Sequence, residues 1–101
     1  DATFVAAMLH DNNESVRLFA AQLLEKRQMT KQIQEAFQLV ALRDSSASLR
    51  KIALENLVNK AEQEVVPVLA LVAARDESEE IRQMALLALD KFYDKNDREK
   101  R

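Results

Sequence analysis

The sequence predicts an all-α fold, an α-solenoid of about three stacked helix pairs and six helices. One observation is a recurring phrase, written as DNNESVRLFAAQLL, DSSASLRKIALENL and DESEEIRQMALLAL. A second is the spacing of apolar residues inside each phrase, which recur every three or four positions as on one face of a helix. A third is composition: glycine is absent and proline occurs once, which argues against tight β-hairpins.

The period of the repeat is set by three arginines. Arg17, Arg50 and Arg82 lie 33 and 32 residues apart (50 − 17 and 82 − 50). Each has an aspartate six positions earlier, an alanine three positions later and a leucine seven positions later. These columns are Asp11, Asp44 and Asp76; Ala20, Ala53 and Ala85; and Leu24, Leu57 and Leu89. A fixed period of this length is typical of repeat proteins, whose units bury their apolar faces against one another.

We expect one domain or fragment over residues 1–101, made of three repeats and a tail. They are repeat 1 at 2–28, repeat 2 at 30–60, repeat 3 at 62–93 and a charged tail at 94–101. The first helix of each pair, the A helix, is predicted at 2–10, 31–43 and 64–75, and the second, the B helix, at 14–27, 47–60 and 79–93. The tail lacks an apolar stripe, so we expect it to fray into solvent. Since the chain does not begin with methionine, we also expect it to be a segment of a longer one.

Helix starts are marked by residues that accept hydrogen bonds from free backbone N–H groups. Asn13, Ser46 and Ser78 hold equivalent positions before the B helices, and Thr30 precedes the second A helix. All four are predicted N-caps. Pro67 lies near the start of the third A helix, where its fixed φ and missing N–H are tolerated.

The B helices supply most of the predicted core. Their apolar stripes are Val16, Phe19, Ala20, Leu23 and Leu24; then Leu49, Ile52, Ala53 and Leu57; then Ile81, Met84, Ala85, Ala88 and Leu89. The alanine column allows close approach of neighbouring helices, because a larger side chain there would overpack the core.

Packing does not explain the aspartate and arginine columns, which are polar. We predict that they form an Asp–Arg ladder of Asp11, Asp44, Asp76, Arg17, Arg50 and Arg82. In this hypothesis Arg50 reaches the turn of its own unit and the turn of the preceding unit through charge-assisted hydrogen bonds. The alternative is a set of solvated ion pairs, each worth about 0–1 kcal/mol.

The segment PVLALVAARDESEEIRQMALLAL, from Pro67 to Leu89, resembles HEAT repeats in its proline, aspartate, arginine, alanine and leucine positions. The resemblance covers Phe4 to Phe92, although the first two A helices lack the proline and no glycine closes the loops. It implies a right-handed solenoid that serves as a non-enzymatic protein-binding scaffold. The short period looks like the compact bacterial type of HEAT repeat.

A narrower likeness concerns LHDNNESVRLFAAQLLEK and VALRDSSASLRKIALENLV. These stretches resemble the HEAT-like region of some membrane-anchored bacterial anti-sigma-type regulators, which lies outside the cytoplasm. The resemblance leaves both a cytoplasmic and an extracytoplasmic location open.

Two HEAT-like enzyme classes exist, alkylpurine DNA glycosylases and bilin lyases. A net charge of −2, no tryptophan and one tyrosine argue against a nucleic-acid groove, which needs basic residues and aromatic platforms.

We expect no catalytic, cofactor-binding or metal-binding residues. His10 is the one histidine, and it aligns with Arg43 and Arg75 as a cation at a helix C-terminus, where the helix dipole favours it. No cysteine is present to complete a metal site. No apolar run is long enough for us to expect direct membrane insertion.

The expected partner is another protein, bound as a helix or loop. In HEAT arrays the B helices line the concave side, and their outward columns here are Leu18, Lys51 and Gln83, followed by Gln22, Glu55 and Leu87. One interpretation is a solvated face with scattered apolar residues. The other is a groove in which Leu18 and Leu87 flank a polar middle. Self-association through the two ends of the solenoid is a further expectation.

Overall fold

The structure is a computed structural model that describes residues 1–60 and 63–99, with side chains through Asp94. Within these ranges the chain forms six α-helices and one 3₁₀ turn, and no strand. The elements are α1 (Ala2–His10), α2 (Glu14–Glu25), α3 (Lys31–Arg43), α4 (Ala47–Lys60), the 3₁₀ turn (Gln63–Val65), α5 (Val66–Arg75) and α6 (Glu79–Glu99). The predicted all-α fold of six helices is confirmed.

The helices stack as pairs in two layers. Helix α1 packs on α2, α3 on α4, and α5 on α6. Between pairs, α3 lies against both α1 and α5, whereas α4 lies against both α2 and α6. The A helices α1, α3 and α5 therefore form one layer and the B helices α2, α4 and α6 the other, as in a helical solenoid.

The predicted N-caps are confirmed by hydrogen bonds. In each case a side-chain oxygen accepts from a backbone N–H two or three residues later. The pairs are Asn13 with Ser15 at 2.8 Å, Thr30 with Ile33 at 3.2 Å, Ser46 with Leu49 at 3.3 Å and Ser78 with Ile81 at 3.3 Å. Pro67 lies in the first turn of α5, as predicted.

The alanine column is buried, as expected: Ala20 is 4% exposed, and Ala53 and Ala85 are fully buried. The leucines at the seventh position, Leu24, Leu57 and Leu89, are buried as well. The sequence stripes omit the position four residues after the arginine, which is buried in the first two repeats, where Ala21 and Leu54 are 1% and 0% exposed. This position contacts the following repeat and not the other helix of its own pair. The apolar stripe of a single helix therefore does not include it.

Two predicted core residues are exposed. Val16 is 41% exposed and Phe19 is 62% exposed, whereas their equivalents in α4, Leu49 and Ile52, are buried and half-buried. The residues share the same position in the repeat. They differ because repeat 2 has a repeat before it within the described chain and repeat 1 does not.

Three helix boundaries differ from the predicted ones. Helix α5 begins at Val66 instead of at 64, because Gln63–Val65 form a 3₁₀ turn. Helix α2 ends at Glu25, two residues early, in a tighter turn in which the N–H groups of Lys26 and Arg27 bond to carbonyls three residues back. Helix α6 continues through Glu99 instead of giving way to a frayed tail at 94. Charged residues such as Lys, Arg and Glu are good helix formers, and the segment has no glycine or proline to stop a helix. Residue 61, residue 62 at the start of predicted repeat 3, and residues 100–101 of the predicted tail lie outside the described residues.

Candidate functional surfaces: the Asp–Arg ladder and the B-helix face

The first rung of the Asp–Arg ladder joins repeat 1 to repeat 2. Arg17 donates from Nε to Asp44 Oδ2 at 3.1 Å and from Nη2 to Asp44 Oδ1 at 3.2 Å. Its Nη1 donates to the backbone oxygens of Asp11 at 3.0 Å and Asn12 at 3.4 Å. A single guanidinium thus holds the turn of its own repeat and the carboxylate of the next one in a two-point contact.

The second rung has the same geometry. Arg50 donates from Nε and Nη2 to the two carboxylate oxygens of Asp76, at 3.0 and 3.2 Å. Its Nη1 donates to the backbone oxygens of Asp44 at 2.9 Å and Ser45 at 3.3 Å. Repeats 2 and 3 are therefore joined in the same register as repeats 1 and 2.

Each ladder aspartate also shapes its own turn. The Oδ1 atoms of Asp11, Asp44 and Asp76 accept from the backbone N–H two residues later, at 2.9, 2.9 and 2.8 Å. A carboxylate that closes such a turn is fixed in orientation. In repeats 2 and 3 it is thereby presented to the arginine of the preceding repeat.

The direction of the ladder is opposite to the predicted one. Arg50 contacts the turn of the following repeat, not that of the preceding repeat. Residues i and i+4 share one face of a helix, and the residue four after Arg50 is the buried Leu54. The equivalent residue of the last repeat, Leu86, is 56% exposed. This face of α2 and of α4 is thus covered by the following repeat, and the arginine lies on the same face.

The rungs are largely shielded from solvent. The side chains of Arg17 and Asp44 are 12% and 7% exposed, and those of Arg50 and Asp76 are 11% and 4% exposed. The hydrogen bond to Asp44 raises the pKa of Arg17 above its ordinary value, against the opposing effect of burial. These are not the solvated surface pairs of the alternative interpretation.

The ladder is incomplete at both ends. Arg82 donates from Nη1 to its own turn, at the backbone oxygen of Asp76, at 2.6 Å. Among the described residues no carboxylate meets its Nε and Nη2 atoms, and no guanidinium meets the carboxylate of Asp11. Both side chains are half-buried.

The six residues predicted for the partner face lie on the B helices. Gln22, Glu55, Gln83 and Leu87 are exposed, and Leu18 and Lys51 are half-buried. Two of them are engaged by acidic residues at the start of α6: Lys51 forms an ion pair with Glu80 at 2.6 Å, and Gln83 bonds to Glu79 at 3.4 Å. The ion pair raises the pKa of Lys51. Lys51 is therefore already paired in the free protein.

A groove of about 200 Å³ runs between α4 and α6 on this face. It brings together two of the residues predicted for the partner face, Glu55 and Leu87, with neighbours that the sequence analysis did not assign to that face. The lining consists of Leu54, Glu55, Val58, Asn59, Met84, Leu87, Ala88 and Lys91. Leu87 is 65% exposed, so the groove presents an apolar floor and wall beside one acidic and one basic residue. Leu18 and Gln22 lie on α2 and do not line it.

The described residues offer no obvious site for a metal. No group of three or more His, Asp or Glu side chains among them is placed to hold an ion. His10 lies in the last turn of α1, at the position equivalent to Arg43 in α3 and Arg75 in α5, which is the predicted place in the helix. Within the described part of the chain, no helix is both long enough and apolar enough to span a membrane.

Comparison with known proteins identifies a family for this chain. The model of a family described as HEAT repeats matches residues 38–100, which is 63 of the 101 residues (100 − 38 + 1). The matched stretch begins within α3. It includes the whole second rung, Arg50 with Asp76, and the acid of the first rung, Asp44, whereas Arg17 precedes it. No curated protein and no solved structure matches the chain.

Proposed function

The chain belongs to the HEAT repeat family, and from this premise we propose that it is a non-enzymatic scaffold for protein–protein interaction. HEAT repeats generally mediate such interactions. In this proposal the B-helix face binds a helix or loop of another protein, and the groove between α4 and α6 is the contact centre. The narrower likeness to anti-sigma-type regulators, and the bacterial origin and extracytoplasmic location that go with it, stay predictions.

The observation that carries the proposal is the exposed apolar lining of the groove. Leu87 is 65% exposed beside the half-buried Val58 and Met84. Burying an exposed leucine is worth about 1.5–3 kcal/mol, enough for one side chain to anchor a weak complex. Met84 adds a flexible side chain that adapts to the shape of a partner.

Charges at the rim favour one kind of partner. Glu55 and Lys91 lie on opposite helices of the groove, α4 and α6. An amphipathic helix fits this arrangement if its apolar stripe is flanked by residues of both charges, because each rim residue then finds an opposite charge. Self-association through the ends of the solenoid is compatible with this function, since the ends and the groove are different surfaces.

The test is site-specific photo-crosslinking. A photoreactive phenylalanine derivative replaces Leu87 in one variant and Leu71 in the other, and each is irradiated in extract of the source organism. Leu71 is the matched control because it is an exposed leucine, at 40%, on an A helix. We expect a protein crosslinked from position 87 and absent from position 71.

The affinity of the identified protein then decides the proposal. Leu87→Asp is expected to weaken binding at least tenfold, and Leu71→Asp to leave it unchanged. The double reversal Lys51→Glu with Glu55→Lys is also expected to weaken binding, mainly through Glu55, since Lys51 is paired with Glu80. Equal crosslinking from both positions, or full affinity after the reversal, would exclude the groove as the binding site.

A further inference from the structure

The two ends of the solenoid expose apolar residues whose equivalents in the other repeats are buried or half-buried. At the first end, Val16 and Phe19 of α2 are 41% and 62% exposed. Their equivalents in α6, Ile81 and Met84, are buried and half-buried because α4 lies against them. Phe19 in particular is a large aromatic residue in a position that an adjoining helix normally covers.

The last end shows the opposite face. Leu86 of α6 is 56% exposed, whereas its equivalents Ala21 and Leu54 are 1% and 0% exposed. Each of those two residues is covered by the repeat that follows it. The last end therefore presents the face that a following repeat covers, and the first end presents the face that a preceding repeat covers.

The incomplete positions of the Asp–Arg ladder also differ between the two ends of the solenoid. At the last end, the Nε and Nη2 atoms of Arg82 meet no carboxylate of the described residues, although the equivalent atoms of Arg17 and Arg50 bind one. At the first end, Asp11 has a carboxylate that closes its turn and meets no arginine among the described residues. One end lacks an acid and the other lacks a base.

We propose that two copies of this chain associate head to tail, with the last repeat of one copy stacked on the first repeat of the next. Arg82 binds the carboxylate of Asp11 in the adjoining copy through Nε and Nη2, as Arg50 binds Asp76 within the chain. Leu86 packs against Val16 and Phe19 of that copy. Because the two contacting surfaces differ, the interface is heterologous, and it leaves an unpaired end at each terminus of the assembly.

Charge and shape both support a second copy as the occupant. The first repeat of this chain carries the acid that Arg82 lacks and the apolar pair that Leu86 lacks, in the register that already holds between repeats 1 and 2 and between 2 and 3. A typical terminal capping repeat instead has a polar outer face that stops further stacking. The outer faces of the first and last described repeats carry the apolar residues Phe19 and Leu86 instead.

The test places a charged residue at one end of the solenoid at a time. Phe19→Lys disables the first end only, and Leu86→Lys disables the last end only. Sedimentation velocity is measured on the wild-type chain, on each variant alone and on their equimolar mixture. We expect the wild type to form concentration-dependent oligomers, each variant alone to be monomeric, and the mixture to form a 1:1 dimer that does not grow.

The controls separate head-to-tail stacking from other association. Leu39→Lys, at an exposed leucine of α3, is expected to behave as wild type. Arg82→Gln is expected to weaken association about tenfold, the loss of one charge-assisted contact. At concentrations where the chain is monomeric, its melting temperature is expected to fall only slightly, because one hydrogen bond within the chain is lost. A wild type that stays monomeric up to about 1 mM, or either lysine variant that still self-associates, overturns the proposal. These outcomes are independent of the groove, whose partner binding is read at Leu87.

Discussion

The turns and the outer face of the B helices differ in how closely their residues repeat. In the turns, the same aspartate and arginine recur in every repeat, and both complete rungs have hydrogen-bond lengths that agree within 0.1 Å at each shared carboxylate contact. On the outer face, equivalent positions hold Leu18, Lys51 and Gln83, or Gln22, Glu55 and Leu87. One region repeats and the other does not.

The difference separates what holds the stack together from what distinguishes one repeat from the next. A position that makes the same contact with the next repeat needs the same residue each time. A position that faces outward has no such requirement, so its residues are free to suit a partner. The repeated columns therefore belong to stability, and the variable columns are where specificity for a partner is to be sought.

Among substitutions in the Asp–Arg ladder, removal of the central arginine is expected to lower stability most. Arg50→Ala deletes four hydrogen bonds and leaves the carboxylate of Asp76, whose side chain is 4% exposed, without its cation. We expect the free energy of unfolding to fall by about 1–3 kcal/mol, measured by urea denaturation. An unchanged denaturation midpoint would reduce the ladder to a surface feature.

A double-mutant cycle isolates the rung from other effects of truncation. Arg50→Ala, Asp76→Ala and the double variant are compared by the same denaturation. We expect a coupling free energy of about 1–2 kcal/mol, within the range for residues in direct contact. Additive losses would mean that each side chain acts through its own turn and not through the contact between repeats.

Loss of a helix cap is expected to have a smaller effect. Ser46→Ala removes the hydroxyl that accepts from the N–H of Leu49 at the start of α4. The expected loss is about 1 kcal/mol. Ser48→Ala is the matched control, since Ser48 is an exposed serine two residues further along the same helix. Equal effects of the two substitutions would show that the cap contributes nothing specific.

Much of the fold follows from the repeat alone. The spacing of Arg17, Arg50 and Arg82, together with the caps, predicts all six helices and the starts of most of them. The direction of the ladder could not be predicted from the sequence. Every repeat carries both the acid and the base, so the pattern fits an arginine that contacts the preceding repeat as well as one that contacts the following repeat. Only the face on which the arginine lies, shared with Leu54, decides it.

The groove was only partly predictable for a related reason. Glu55 and Leu87 are recognisable as outward positions from helical periodicity. Val58 and Met84 are not, because they are half-buried residues at the boundary between the outer face and the contact between repeats. Their place in a shared groove depends on how α4 and α6 lie against each other, which is a property of the stack and not of either helix. Similarly, no pattern within repeat 1 indicates that Val16 and Phe19 are uncovered.

The last arginine should matter less than the central one. Arg82→Ala removes one described hydrogen bond, from Nη1 to the backbone oxygen of Asp76, and no carboxylate contact. We expect the chain, measured as a monomer at low concentration, to lose less than about 1 kcal/mol. A loss equal to that of Arg50→Ala would contradict the view that most of the contribution comes from the carboxylate of the following repeat.

The smallest effect on folding is expected on the variable face. Leu87→Asp replaces a side chain that is 65% exposed and whose position holds Gln22 and Glu55 in the other repeats, so the free energy of unfolding should change by no more than about 0.5 kcal/mol. The matched buried substitution, Leu57→Asp, places an unpaired charge at a fully buried position and should prevent folding. If Leu87→Asp instead lowered stability by more than about 1 kcal/mol, Leu87 would belong to the core that joins the repeats. The column of Gln22, Glu55 and Leu87 would then stabilise the stack as the repeated columns do. The distinction between repeated stabilising positions and variable partner-binding positions would not hold for Leu87, on which the proposed groove depends.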